Sequence, residues 1–295
     1  MIRTSRATFG VLVLSASGCL GPIEPATDLP TYDALDAAGC VEITGWKGDA
    51  MEPFATPDGR YLVFNNRNSP PERTDLHWAR RVASDRFEYI GPVSGANSPS
   101  LDAVASVDNA GRFFFVSTRS YDESLQTLFE GTWREGVVSG VHPVAGIARG
   151  VRGWLNFDAE VSRDGDTLYF VDGRFTGASV PAEADLAIAR RRGNAFERDP
   201  RSTAWLENVN TAALEYAPAI SANELELFFT RLDLETKRIA IYRAERATAD
   251  VPFGAAARVA AATGFVEAAT FADDGHTIYF HRLDGDHYRI CRATR

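Results

Sequence analysis

One motif recurs five times along this chain, and that recurrence limits what it can fold into more than any other feature. The segments TPDGRYLVF (56–64), SVDNAGRFFF (106–115), SRDGDTLYF (162–170), SANELELFF (221–229) and ADDGHTIYF (272–280) align with one another. They start at intervals of roughly 50–60 residues, the spacing of repeat architectures. Each opens on a tight turn rich in Asp, Asn or Gly and runs into an aromatic and β-branched strand. A further strand follows each: DLHWARR (75–81), LQTLFEGT (125–132), DLAIARR (185–191), IAIYRAER (239–246) and HYRICRAT (287–294). A short strand precedes each turn, as in EPFAT (52–56). A fourth, less regular strand completes the unit, as in FEYIGPV (87–93).

Nothing between the units reads as an amphipathic helix of normal length. A four-stranded unit of about 50 residues cannot bury both faces alone, and radial packing of such units is the β-propeller solution. The expectation is an all-β chain of four-stranded blades. Five blades are favoured. Six is the alternative, with a degenerate sixth hidden in 120–155 or 175–210. The last unit reaches Arg295 directly after its third strand, so its fourth is expected from the N-terminal side. CVEIT (40–44) is the unassigned strand-like segment there, and it is expected to pair beside HYRICRAT in the last blade.

The third unit, FDAEVSRDGDTLYFVDGR (157–174) followed by DLAIARR, is close to the pattern acidic-x-P-x-x-S-x-D-G-x-x-L-Y-F, then Arg, then D-L-x-x-A-x-R. It resembles the WD-like propeller repeats of the TolB type, over about residues 50–295. The fourth unit keeps the family's Pro and lacks the Asp-Gly; the second has one extra residue in its turn. The resemblance implies a bacterial envelope protein with protein partners. It implies no reaction, because the motif encodes a blade.

The N-terminus, MIRTSRATFGVLVLSASGC, has the charged start, short apolar stretch and small-residue end of a secretory signal. Its end resembles a bacterial lipoprotein box with Cys19 as the lipidated residue. The expected organisation is a signal peptide over 1–18, a flexible Pro- and Asp-rich tether over 19–39 and a propeller over 40–295. The expected address is the outer membrane, facing periplasm or cell surface, with membrane contact only through the lipid. Cys40 and Cys291 remain. Strand pairing at ring closure would set them side by side, and an oxidising compartment makes them a disulfide candidate. The alternative is two small buried residues.

One charged pattern accompanies the repeat. An acidic residue stands before or at the first strand of each unit: Glu52, Asp102, Asp158, Glu215 and Glu267. An arginine follows the second: Arg67, Arg119, Arg174, Arg231 and Arg282. Arginine pairs with carboxylates bidentately. One reading is a ring of acid–Arg pairs stitching neighbouring blades. The other is that some carboxylates face the central channel, where they bind Ca²⁺ or serve as acid and base on a glycoside. Two or three carboxylates without arginines, converging in the channel, would favour the second.

Other chemistry is not written in the chain. It has no GxSxG, GxxxxGK, HExxH or CxxC motif. No metal site is assigned, and no cofactor beyond the Ca²⁺ option. His276, His281 and His287 match no zinc spacing and read as surface or loop residues. Trp46 and Trp154 sit beside glycines in loops, where they either pack between blades or meet a sugar or protein. Longer insertions at 134–156 and 174–184 are expected to carry specificity. A net charge of −9 without a basic block argues against nucleic acid. The leading expectation is therefore a monomeric, non-catalytic envelope scaffold whose partners are proteins or polysaccharide. The alternative is a glycan-binding or glycoside-hydrolase-like propeller using channel carboxylates.

Overall fold

A computed structural model describes residues 30–68 and 73–295; the signal, Cys19 and the start of the tether lie outside them. Three short strands come first: β1 (Thr31–Tyr32), β2 (Gly39–Cys40) and β3 (Glu42–Thr44). Blade 1 follows with β4 (Met51–Ala55), β5 (Tyr61–Asn65), β6 (Leu76–Ala83) and β7 (Arg86–Pro92). Blade 2 has β8 (Asp102–Val107), β9 (Arg112–Ser117), the one-turn α1 (Tyr121–Ser124), β10 (Leu128–Arg134) and β11 (Val137–Pro143). Blade 3 has β12 (Trp154–Val161), β13 (Thr167–Arg174), β14 (Glu183–Arg192) and β15 (Ala195–Arg198), then α2 (Ser202–Trp205). Blade 4 has β16 (Leu214–Ile220), β17 (Glu226–Asp233), β18 (Arg238–Glu245) and β19 (Ala257–Val259). Blade 5 has β20 (Val266–Phe271), β21 (Thr277–Asp284) and β22 (His287–Thr294).

The first strand of each blade lines the axis, and these strands touch in the cyclic order β4, β8, β12, β16, β20, β4. The fold is a five-bladed β-propeller. No sixth blade hides in 120–155 or 175–210, because those residues supply the outer strands of blades 2 and 3. Among the described residues no helix is long and apolar enough to cross a membrane.

The repeat sequence explains the packing. The second strands carry side chains that are aromatic or branched on both faces, Phe113 to Phe115 being an example, and they are fully buried between blades. The turn that precedes each is tied by its own polar side chains: Asp58 accepts from Thr56 Oγ1 and the Arg60 N–H, and Asp164 from Ser162 Oγ and the Asp166 N–H. Gly165 sits at φ +78° with Asp108 and Arg112 of blade 2 against it, so a Cβ there meets the neighbouring blade as well as a backbone that favours glycine.

Ring closure differs from the expectation. CVEIT does not act as one strand in blade 5. Gly39–Cys40 pairs antiparallel with β22, placing Cys40 opposite Cys291, and the two are disulfide-bonded. Glu42–Thr44 instead pairs in parallel with β7 of blade 1. The segment therefore straddles the seam between blades 5 and 1. The cause is length: two residues fill the fourth position of blade 5, and the chain then crosses to the open outer edge of β7. The segment 30–39, expected as the end of the tether, is instead packed on the propeller. Thr31–Tyr32 extends blade 4 in parallel beside β19, and Leu35 is buried against the blades 4 and 5 core.

Two linkers share a stitch that sequence comparison alone can find, ANSPSLD (96–102) and VNTAALE (209–215). Asn97 accepts from the Leu76 N–H and donates to the Leu76 carbonyl, and Asn210 does the same at Leu186. The next residue, Ser98 or Thr211, donates through N–H and hydroxyl to the acid four residues on, Asp102 or Glu215. Each linker thus fastens the third strand of one blade to the first strand of the next.

Candidate functional site

The acidic ring separates into three positions once the inner strands are compared by register. Every inner strand has a bulge, with register shifts at Met51/Phe54, Ala103/Ser106, Phe157/Glu160, Tyr216/Ala219 and Glu267/Thr270. One residue in each takes a positive φ near 50°: Glu52, Val104, Asp158, Ala217 and Ala268. Non-glycine residues seldom sit there, and bulges re-aim side chains. These five residues are equivalent, and all line the axial channel. Glu267 precedes the bulge residue of its blade by one, and Asp102 and Glu215 by two. The sequence spacing concealed this because the bulges shift the count.

The positions have different partners. Asp102 and Glu215, both fully buried, bind Arg119 and Arg231 at 2.6 Å. Those arginines also reach the carbonyls of Ala96 and Val209 in the linkers. Here the stitching reading describes the geometry. It fails for the other three arginines, which have other partners. Arg67 binds Asp49 at 2.6 Å, Arg174 binds Glu183, and Arg282 donates to the Cys40 sulfur. We expect Asp102→Asn to cost about 3 kcal/mol by leaving the Arg119 charge without its partner, read as a lower urea midpoint with an unchanged slope.

Among the described residues, Glu52, Asp158 and Glu267 have no arginine partner. They come from blades 1, 3 and 5 and lie within electrostatic reach of one another. Burial, with Asp158 and Glu267 nearby, raises the Glu52 carboxyl well above its ordinary range, against a hydrogen bond from Asn68. Burial pushes Asp158 up to about 7, opposed by the Ala217 N–H and assisted by Glu267. A fourth carboxyl, Glu160, lies two residues beyond the blade 3 bulge and is pushed by burial up to about 8. Sequence reading passed over Glu160 because its position carries Phe54, Ser106, Ala219 and Thr270 in the other blades. Among the described residues, no group of three or more His, Cys, Asp or Glu is arranged to hold a metal ion.

His281 joins the blades, contrary to its reading as a surface or loop residue. It is completely buried. The Glu52 backbone N–H donates to its Nδ1 at 3.1 Å, and Nε2 lies 3.1 Å from Glu267 Oε2. A backbone N–H can only donate, so Nδ1 is the bare nitrogen and Nε2 carries the proton. The other Glu267 oxygen accepts from the buried Tyr216 hydroxyl. Glu267 is thus hydrogen-bonded at both oxygens, to His281 and to Tyr216. The chain Tyr216–Glu267–His281–Glu52 runs through blades 4, 5 and 1.

A related bracket holds the bulge N–H in other blades. Asn65 serves Val104, Thr230 serves Ala268 and Asp158 serves Ala217. In blade 3 the position equivalent to Asn65, Thr230 and His281 is Val171, which offers no acceptor. Asp158 supplies it instead, so this residue has a structural duty besides its charge.

The channel between these groups is narrow. Small and apolar residues, among them Ala105, Ala159 and Pro218, leave about 20 Å³ at its centre, roughly the room of one water. Glu52 keeps partial surface exposure, whereas Asp158 and Glu267 are buried. The loop tryptophans are already covered: Trp46 packs on Phe64, His77 and Tyr89, and Arg149 lies 4.3 Å over Trp154.

No protein-family model and no curated protein matches the sequence. The likeness is to solved structures, at the level of fold. The endo-arabinase from Bacteroides thetaiotaomicron VPI-5482 superposes with a TM-score of 0.55 at 12% identity, over 87% of this chain and 96% of that one. An exo-β-1,3-galactanase from Phanerochaete chrysosporium gives 0.55 at 12%, over 87% and 63%. TolB from Acinetobacter baumannii gives 0.47 at 11%, over 84% of this chain; the chain spans about half, 55%, of that protein.

Proposed function

We propose that this propeller acts on a glycoside at the axial mouth of its channel, with Glu52 as the proton-donating acid and Glu267 as the ionised partner. One observation carries the reading: three carboxylates from three blades converge on the axis with no arginine partner among the described residues, while Asp102 and Glu215, which share one position and one linker stitch, are locked to arginines. Repetition suits a structural part, and a departure from it at equivalent positions suits a site with distinct roles. A carboxyl raised by burial, beside a second carboxyl on the same axis, is the kind of pair glycoside cleavage uses. The saccharides for which the structurally similar arabinase and galactanase are named agree with a saccharide ligand. The narrow centre excludes a sugar ring, so the scissile bond is met at the rim, where Glu52 retains surface.

That same narrowness favours a second reading, recognition without turnover by an envelope scaffold. In either case we propose export, with a lipid on Cys19; the signal-like N-terminus and the disulfide chemistry support this. The test is a thermal-shift titration of the exported protein with arabinan and galactan oligosaccharides. A ligand of the native state raises the melting temperature. The expected result is a saturable shift that Glu52→Gln removes while its own circular dichroism stays native. A shift with none of these saccharides would remove the proposal.

A further inference from the structure

A second concavity lies off the axis, on blade 4. Its volume is about 980 Å³, at the upper end of ordinary ligand sites. One face of the sheet forms its wall. Phe229, Tyr242 and Arg258 stand side by side across β17, β18 and β19. The row beyond them is Arg231 beside Ala240, with Ala260 in the turn just after β19, and these alanines leave the hollow unfilled.

The charges there are not all paired. Arg231 is held by Glu215. Among the described residues, the partly buried Arg258 and the exposed Arg238 have no ion-pair partner, and the Tyr242 hydroxyl makes no hydrogen bond. Asp233 stands opposite Arg238 and within its electrostatic reach, and one of its oxygens also accepts from the Glu235 and Thr236 N–H groups. Glu235 is exposed at the rim. In a chain of net charge −9, this cleft gathers Arg238 and Arg258 beside Asp233 and Glu235, and Arg258 is the guanidinium there with no acid opposite it.

We propose that this cleft is a second binding site, for a saccharide that bears a carboxylate, with Arg258 and Arg238 as the groups that grip it. The inference rests on the saccharide reading above. Guanidinium forks match planar carboxylates, and the alanine floor and tyrosine edge suit the apolar face of a sugar ring. An acidic peptide would offer the same charge. It would gain most from strand addition, and that edge is occupied: Thr31 and Tyr32 already pair with Arg258 and Val259.

The experiment is calorimetric titration of the exported protein with trigalacturonate, and with galactotriose as the neutral comparison. We expect trigalacturonate to bind, the neutral sugar to bind about tenfold more weakly or less, and Arg258→Ala to lose about tenfold for the acidic sugar alone. Arg258 has no partner to strand, so the variant should keep its melting temperature. Glu52→Gln should leave this binding unchanged, which separates failure here from failure of the axial site. Equal affinity for the two sugars, or full affinity in Arg258→Ala, overturns the proposal. Tighter binding of hexaglutamate than of trigalacturonate overturns it in favour of an acidic peptide.

Discussion

Replacing Cys40 and Cys291 together by alanine is expected to lower the unfolding free energy by about 5 kcal/mol. The bond joins residues 251 apart. In the chain-entropy model a loop of that size loses about 5 kcal/mol of denatured-state freedom, with smaller values common in practice. Little else fastens the fourth strand of blade 5. Gly39–Cys40 contributes two residues of pairing, helped by the Asp36 N–H to the Thr294 carbonyl and the Val41 N–H to the Ile290 carbonyl. Guanidinium unfolding of the oxidised protein and the double variant measures the effect. The seam also runs through the axial site, because the Glu52 N–H in blade 1 donates to His281 in blade 5. Saccharide binding at the axis should therefore weaken along with stability. A loss under 1 kcal/mol would mean that the blades hold the ring shut without the bond.

The second large effect is a fall in stability as pH rises from about 4 to 8. Asp158 is raised from 3.8 to about 7 and Glu160 from 4.5 to about 8, both by burial. Between the unfolded and folded values the native state holds protons that the unfolded state has released. Stability then decreases with rising pH across that window and levels off above it. Each group is expected to account for several kcal/mol at most. Glu160→Gln should flatten the upper part of the curve and be more stable than the parent at pH 9. Asp158→Asn should flatten the lower part, since asparagine still offers an oxygen to the Ala217 N–H. Parallel curves for the parent and both variants would show that these carboxyls ionise normally.

The blades were legible because one short pattern encodes each. The Asx turn, the aromatic second strand and the 50–60-residue spacing are local features, and they gave five blades. Closure was only partly legible. CVEIT was recognisable as strand, but nothing in its five residues shows that the chain changes blades after Cys40. The site was legible in composition and not in arrangement. All three axial carboxylates stood in the repeating acidic series, together with Asp102 and Glu215, which do a different job. What divides them is a one- or two-residue offset from a bulge, and a bulge leaves no mark when its residue is Glu, Val, Asp or Ala. His281 was misplaced for a related reason. It occupies a strand position filled by Asn, Val or Thr elsewhere, and only the register shows that this position faces the next blade's bulge.

The central claim is that the arginine-free carboxylates on the axis do chemistry which the arginine-bound ones do not. The most direct measurement is release of reducing ends from arabinan and galactan oligosaccharides by the parent, Glu52→Gln, Glu267→Gln and Asp102→Asn proteins, each compared at equal folded concentration. The expected result is turnover by the parent and by Asp102→Asn, and a loss of about 100-fold or more in the two axial variants. Turnover that survives both axial substitutions, or none by the parent on a saccharide it binds, would contradict it.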